Sequence, residues 1–479
     1  MGSLPPPFPV LDDPLPSNTT LPAFMVSTTR GFLPRMHPIA TLPSDFDALE
    51  SLLQRMPIKT LSGEPGLLAH GTLGAAVAAE LPDLTACVDK HSADLPLMNA
   101  LYRDYSFLAS AYLLEPCHQR FVRGEGYGLA RDVLPANVAR PLSRCAEVCH
   151  YKPFMEYAAS YALFNHLPSH PSLPLTHPSQ SLRLIRAFEH GHDPSSSEAG
   201  FILTHVEMAS HSGALVRAAM TLLSAPARDD ANAALEDIVA AMRAVNAVME
   251  TMWRRSKPAE YTGFRTFIFG VKGQGGMFPR GVVYEGVGKD GEGVAYRGES
   301  GANDSIIPLL DNLVALPLPE TPLTEILRDF RSYRPENHRE FLRWVGERSR
   351  EVGLRGWVLG LDAGDDEEVR RSRRLWLAVL DQIREFRWRH WCFAREYILK
   401  RTAHPKATGG SPIVTWLPNQ LTAVLGEMEG VWGEVKRVEG EGGEDRVMEE
   451  MMELVGRQKE MLDREVKKWC EERPDGVEV

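Results

Sequence analysis

Two apolar stripes at helical spacing constrain this chain more than anything else in it. Leu235, Ile238, Met242, Val245, Met249 and Met252 recur at alternating steps of three and four, the mark of one buried helix face, with Asp229 and Asp230 placed ahead of them as N-caps. Val379, Ile383, Phe386, His390, Phe393 and Tyr397 repeat the pattern between about residues 369 and 400, with a histidine where the pattern asks for a hydrophobe. A long helix with one apolar face must bury it against another element. The chain therefore reads as layered helices and not as alternating strands and helices.

The remaining segments fit around these two helices. Residues 1–24 are proline-rich without periodicity and read as a flexible arm. Apolar residues recur at helical spacing from Leu95 to Leu163, interrupted near Gly124 and at Pro135, which predicts several packed helices. Leu167 to His177 reads as an irregular excursion, and the glycine-rich stretch from Gly263 to Gly301 as loops and short extended pieces. Ala407-Thr408-Gly409-Gly410 reads as a mobile loop, and the glutamate-rich segment after Gly426 as one or two solvated amphipathic helices.

The net charge of −11 is concentrated at the end of the chain. Residues 426–479 hold 17 acidic against 9 basic side chains, a net of −8, which leaves −3 for the rest. An acidic chain gains nothing from a phosphate backbone or an anionic lipid surface, so neither nucleic acid nor membrane is an expected partner. No apolar run reaches the roughly 18 residues of a spanning helix. The first residues lack the pattern of a signal peptide and the cysteines are few, so a reducing cytoplasm is the expected location.

His390 admits two readings: a satisfied core histidine, or an imidazole whose neutral nitrogen ligates haem iron inside an apolar wall. Phe201, His205, Met208 and Leu215 mark another helix face, so a second histidine points inward, as a cofactor held between two helices would require. Arg265 lies among Tyr261, Phe264, Phe267 and Phe269. In such surroundings a guanidinium needs an anion, either a substrate carboxylate or an internal acid. Cys145-x-x-x-Cys149-His150 has the wrong spacing for covalent haem attachment and lacks a second ligand pair for zinc. The run from Gly270 to Gly276 matches neither phosphate-binding glycine pattern. Gly298-Glu299-Ser300-Gly301-Ala302 approaches a nucleophile elbow, with Asp311 and His390 in hydrolase order, but the preceding strand is not expected.

Several segments together resemble the indoleamine 2,3-dioxygenase family, haem enzymes that open the indole ring of tryptophan. They are Thr29-Arg30-Gly31-Phe32-Leu33-Pro34, the run from Val133 to Leu142, Gly281 to Gly286, Arg331 to Leu342, and the helix carrying His390 and Tyr397. The resemblance runs from about residue 28 to 420. It implies an all-α fold, with a smaller helical domain over residues 25–190, a larger haem-enclosing domain over 191–425 and an acidic helical extension over 426–479.

The resemblance also implies roles. His390 looks like the proximal ligand of haem b, Arg387 and Asp311 like an ion pair beneath the haem, and Ser300 and Gly301 like part of the distal loop. Arg265 falls at the substrate-carboxylate arginine, Tyr261 beside it in the substrate wall, and Thr408, Gly409 and Gly410 on the loop that closes over substrate. His205 lies near the distal position. The implied reaction inserts O2 across the C2–C3 bond of L-tryptophan or a related indole, giving N-formylkynurenine, in a monomeric enzyme. Three departures stand on the substrate side: Glu260 and Val271 replace aromatic residues, and the distal loop reads Gly298-Glu299-Ser300-Gly301-Ala302-Asn303. Those departures motivate a non-catalytic haem- or indole-binding alternative, and Ser300 a hydrolase alternative.

Overall fold

The stripe from Leu235 to Met252 is buried at every position, and its helix is the floor on which the second half of the molecule is built. The computed structural model describes residues 8–473 except His192, Asp290, residues 362–365, Pro405 and residues 440–445. About 60% of the chain is helical and strands are few, so the all-α expectation is met.

Helix α1 (Leu95–Val122) is capped by Asp94, whose side chain accepts from the Leu97 N–H, and it is buried on nearly every side. A helix apolar all round belongs in the middle of a core, and α2 (Ala136–Cys149) packs along it. Helices α3 (Ser197–Ser210) and α4 (Ser212–Ser224) are separated by a break at His211, so Leu215 lies one helix beyond His205. Helix α5 (Arg228–Glu250) starts before Asp229, with Ala227 at the cap. Asp229 and Asp230 thus sit in its first turn, where they favour the positive end of the helix dipole instead of capping it.

Helix α6 (Pro258–Arg265) enters the region expected to be loop, and α7 (Ile306–Leu313), α8 (Glu336–Glu351) and α9 (Glu367–Phe393) follow. Helices α5 and α9 lie side by side. Asn246 donates to the Gln382 carbonyl and side chain at 3.2 Å, and Ser372 donates to Asn232 at 2.7 Å. Just past His390 the chain widens into a π-helical stretch, Ala394–Leu399, of the kind often found at functional sites. Two small sheets complete the described fold. Val282–Tyr284 pairs in parallel with Val133–Leu134 and antiparallel with Gly293–Val294, while His166–Pro168 pairs antiparallel with Leu182–Leu184, a hairpin that brackets the expected excursion.

Two hydrophobic cores result. One gathers around α1 and α2 and reaches through Ala199–Ala209 to Phe278 and Tyr397; the other gathers α4, α5, α7, α8 and α9. The first core thus draws on residues from both sides of position 190.

Two sequence expectations change at the ends of the chain. From Phe8 onward the proline-rich stretch is pinned: the Phe8 ring meets Phe341 at 5.4 Å, and the buried Arg35 guanidinium donates to the carbonyls of Pro14, Asn18, Leu21 and Pro22. Residues 1–7 lie outside the described part. The acidic extension is also no solvated tail. Helices α10 (Ile413–Glu439) and α11 (Arg446–Glu472) bury Val431, Met448, Val455 and Leu462 in the second core. Helix α11 reaches α9 as well: Trp391 donates to Glu465 at 2.6 Å, Arg384 to Gln458 at 2.6 Å, and Arg395 pairs with Glu465. One of its acids, Glu465, is thus taken up by Trp391 of α9 and by Arg395 of the π-helical stretch.

Candidate functional site

A cavity of about 130 Å³ lies where the two cores meet. Helix α3 contributes Phe201, His205 and Met208, α5 Met249, α6 Tyr261, and α9 with its π-helical continuation Phe386, His390, Phe393, Ala394, Tyr397 and Ile398. Glu299, Ser300, Gly301 and Asp304 close it on one side, and Ala407, Thr408, Ser411 and Ile413 on another. Most of this wall is apolar, so the few polar groups in it decide what it can do.

His390 and His205 share the cavity. The His390 ring has no hydrogen-bond partner among the described residues, and burial, reinforced by His205 and Arg387, holds its pKa down at about 4. It is a neutral imidazole with a free lone pair. His205 Nδ1 lies 2.9 Å from the Phe201 carbonyl, which can only accept, so Nδ1 carries the proton and Nε2 keeps its lone pair. Burial lowers the His205 pKa too. The distal loop folds over this ring: a methyl at Gly301 would stand 3.7 Å from His205 Nε2.

One turn before His390, Arg387 donates through Nη2 to both Asp311 oxygens at 2.9 and 2.7 Å. Its Nε and Nη1 are buried without partners, and so is Nε of Arg331, whose pKa is lowered by burial and by Arg387 against the pull of Asp311. Asp311 is bonded by Arg387 and acts on Arg331 only at longer range. The surplus positive charge suits a further anionic group beside the cavity.

Arg265 is fully buried but is not part of the cavity wall. It lies behind Tyr261, donates Nη2 to the Lys406 carbonyl at 2.9 Å and stacks 4.6 Å from the Phe269 centroid, leaving Nε and Nη1 buried without partners. No internal acid claims it. Glu260 faces outward and pairs with Lys257 at 2.9 Å and with Ser197, so Tyr261 fills the wall in its place; Val271 is core.

The Thr408 loop is docked. Thr408 Oγ1 donates to the Glu299 carbonyl at 2.9 Å, its own carbonyl accepts from Gly270 N–H at 2.8 Å, and Arg297 Nη1 donates to Gly409 O at 2.9 Å. At Gly410, φ is +86° and the Lys272 carbonyl lies where a Cβ would stand, so backbone meets backbone without side chains between. Gly409 and Gly410 border the cavity without lining it.

The hydrolase arrangement does not form. Asp311 is taken by Arg387, His390 bonds to neither Asp311 nor Ser300, and no strand runs directly into Gly298.

Three site residues carried no role in the sequence reading. Glu299 stands in the sequence only as a departure in the distal loop, Asp304 follows that loop without a motif of its own, and Arg331 is one residue of a matching segment. An acid inside an otherwise glycine-rich loop was the available signal for Glu299.

Fold and cavity together define an all-α protein with a largely apolar cavity, an unbonded imidazole at its wall and unpaired arginine nitrogens beside it. The sequence profile of the family "Indoleamine 2,3-dioxygenase" matches residues 20–447. An indoleamine 2,3-dioxygenase of Penicillium citrinum is 27% identical over 362 residues, 73% of either chain. One of Aspergillus nanangensis is 24% identical over 410 residues, 83% of this chain and 91% of its own. The mouse protein named indoleamine 2,3-dioxygenase 1 is 26% identical over 313 residues, 64% of this chain and 69% of its own. The chain belongs to the indoleamine 2,3-dioxygenase family and is an oxidoreductase of the dioxygenase type.

Proposed function

We propose that this enzyme binds haem b and inserts O2 across the C2–C3 bond of L-tryptophan or a closely related indole, yielding N-formylkynurenine. The observation that carries the reading is the free, neutral His390 imidazole facing an apolar cavity, with the partnerless nitrogens of Arg387 and Arg331 beside it. That donor set fits haem: one nitrogen for iron, apolar side chains for the macrocycle and cations for its propionates. When bound, haem supplies the iron at which dioxygen is activated for insertion into the indole.

The protein's own groups do the positioning. Asp311 orients Arg387 on the His390 helix and so fixes the presentation of the imidazole. Tyr261, Phe201 and Phe393 offer flat apolar faces to an indole. His205 Nε2, with its lone pair free, is the acceptor available to the indole N–H. Arg265 holds two unpaired nitrogens behind Tyr261, within the reach of a carboxylate that displaces that ring. The docked Thr408 loop excludes water from the reacting centre.

The test is reconstitution with haem, followed by aerobic incubation of the reduced enzyme with L-tryptophan. N-formylkynurenine is expected, and His390→Ala is expected to lose the haem Soret band. Retained haem absorbance in that variant overturns the ligand assignment. Haem binding without product from any indole overturns the activity.

A further inference from the structure

Glu299 has no counterpart in the reading above. The residue is 2% exposed, lies in the cavity wall and has no side-chain hydrogen bond or ion pair among the described residues. A carboxyl held in a largely apolar wall without a protein donor costs stability that the fold does not recover within itself. Other buried acids nearby are satisfied. Glu156 accepts from the Ala158 and Ala159 N–H groups, and Asp304 from those of Ile306 and Ile307. Glu299 alone of these three acids waits for a donor.

We propose that Glu299 is the substrate's amine anchor: its carboxylate takes up the protonated amino group of an aminoalkyl indole. The inference rests on the dioxygenase reading and names the residue of this chain that meets the amine. The geometry favours a substrate cation over a protein one. Among the described residues no cation near the cavity bonds to Glu299: Arg265 donates to Lys406 O, Arg387 to Asp311, and Arg297 to Asp329 and Gly409 O. Glu299 is also tied to the lid, since its backbone carbonyl receives the Thr408 hydroxyl. An amine bound at this carboxylate would sit under the closed loop. Glu299 and Arg265 both bear electrostatically on Tyr261, so an amino acid could present its two charged groups to them across that ring.

The protonation chemistry is consistent. Burial, with the neighbouring Glu156, pushes the Glu299 carboxyl up to about 8, so at neutral pH and before an amine binds it is largely protonated. The titratable groups around it add no competing positive charge. Asp304 is raised to about 6 and Glu156 to about 7, Tyr157, Tyr161 and Tyr261 are raised further, and His205 and His390 are held neutral. An arriving ammonium converts Glu299 to the carboxylate, and the displaced proton leaves to solvent.

The experiment uses the haem-loaded full chain and three probes: L-tryptophan, tryptamine, which lacks the carboxylate, and indole-3-propionate, which lacks the amine. Binding is followed by calorimetry at pH 7 in buffers of different ionisation enthalpy, and turnover separately. Wild type is expected to release close to one proton per amine bound and none with indole-3-propionate. Glu299→Gln is expected to abolish that release and to weaken both amines about tenfold or more, the scale of a lost charge-assisted bond, while sparing indole-3-propionate. Glu299→Asp should restore part of the proton release. Equal weakening of all three probes, or unchanged amine binding in Glu299→Gln, overturns the proposal. If no indole is turned over, the dioxygenase reading fails, yet the calorimetry still decides whether Glu299 meets the amine.

Discussion

Asp311→Ala tests the ion pair beside the cavity. Both partners are 6% exposed at the side chain, and Asp311 accepts two bonds from one Arg387 nitrogen at 2.9 and 2.7 Å. Solvent screens little of this pair. Removing the acid leaves Arg387 buried beside Arg331 with no counter-charge, and breaking such a pair costs about 3–5 kcal/mol. The second arginine places the expected loss in the upper half of that range. Urea unfolding of the haem-free protein measures it, in a cycle with Arg387→Met and the double variant. The double variant is expected to recover much of the loss, because no stranded charge remains, giving a coupling of about 2–3 kcal/mol. Added haem should narrow the gap between wild type and Asp311→Ala, since a propionate would supply the missing anion and ligand binding stabilises the folded state. A coupling under about 0.5 kcal/mol would mean that the pair acts as a screened surface bridge, and the charge argument for the cavity would fall.

Other outcomes follow from the same structure. Gly410→Ala, at φ +86° against the Lys272 carbonyl, should loosen the docked loop and lower kcat/KM about tenfold or more, with haem absorbance unchanged; full activity would mean that the loop tolerates a Cβ there. His338, wedged between the Phe24 and Phe32 rings, has its pKa pushed down to about 3 by burial and Arg334. A depressed histidine adds stability above its unfolded pKa near 6.5, and that contribution is lost as pH falls from there towards 3. His338→Leu should therefore flatten the acid limb of a stability–pH curve, and parallel curves would refute the assignment. Leu462→Ala on α11 removes a fully packed side chain and should cost about 2–5 kcal/mol in thermal or urea unfolding. A cost under about 0.5 kcal/mol would return the extension to the status of a solvated appendage.

Periodicity made the helices around the site legible, because a stripe such as Leu235–Met252 can only be buried one way. It also placed His390 and His205 on inward faces, and the structure brings them to one cavity. Tyr261, Ser300, Gly301 and Thr408 join them there, while Arg265, Arg387 and Asp311 stand just behind the wall. Arg265 illustrates the limit of the sequence: composition says that its guanidinium needs an anion, but not that a tyrosine stands between it and the cavity. The docking of α11 was invisible for a related reason. Its buried residues are spaced among many acids, and charge alone could not reveal that Glu465 and Gln458 face Trp391 and Arg384. Glu299 was hidden because an acid in a glycine-rich loop looks the same in sequence whether it meets water or a cavity.

Helix α11 begins at Arg446, where the family match ends at residue 447, yet it holds the residue next to His390. The Trp391–Glu465 bond, with Arg395–Glu465 and Arg384–Gln458, fastens it to α9 one residue from the cavity wall. A segment almost wholly outside the matched residues thus bears on the helix that carries His390, and substitutions in it can reach the cavity wall while every cavity residue stays the same.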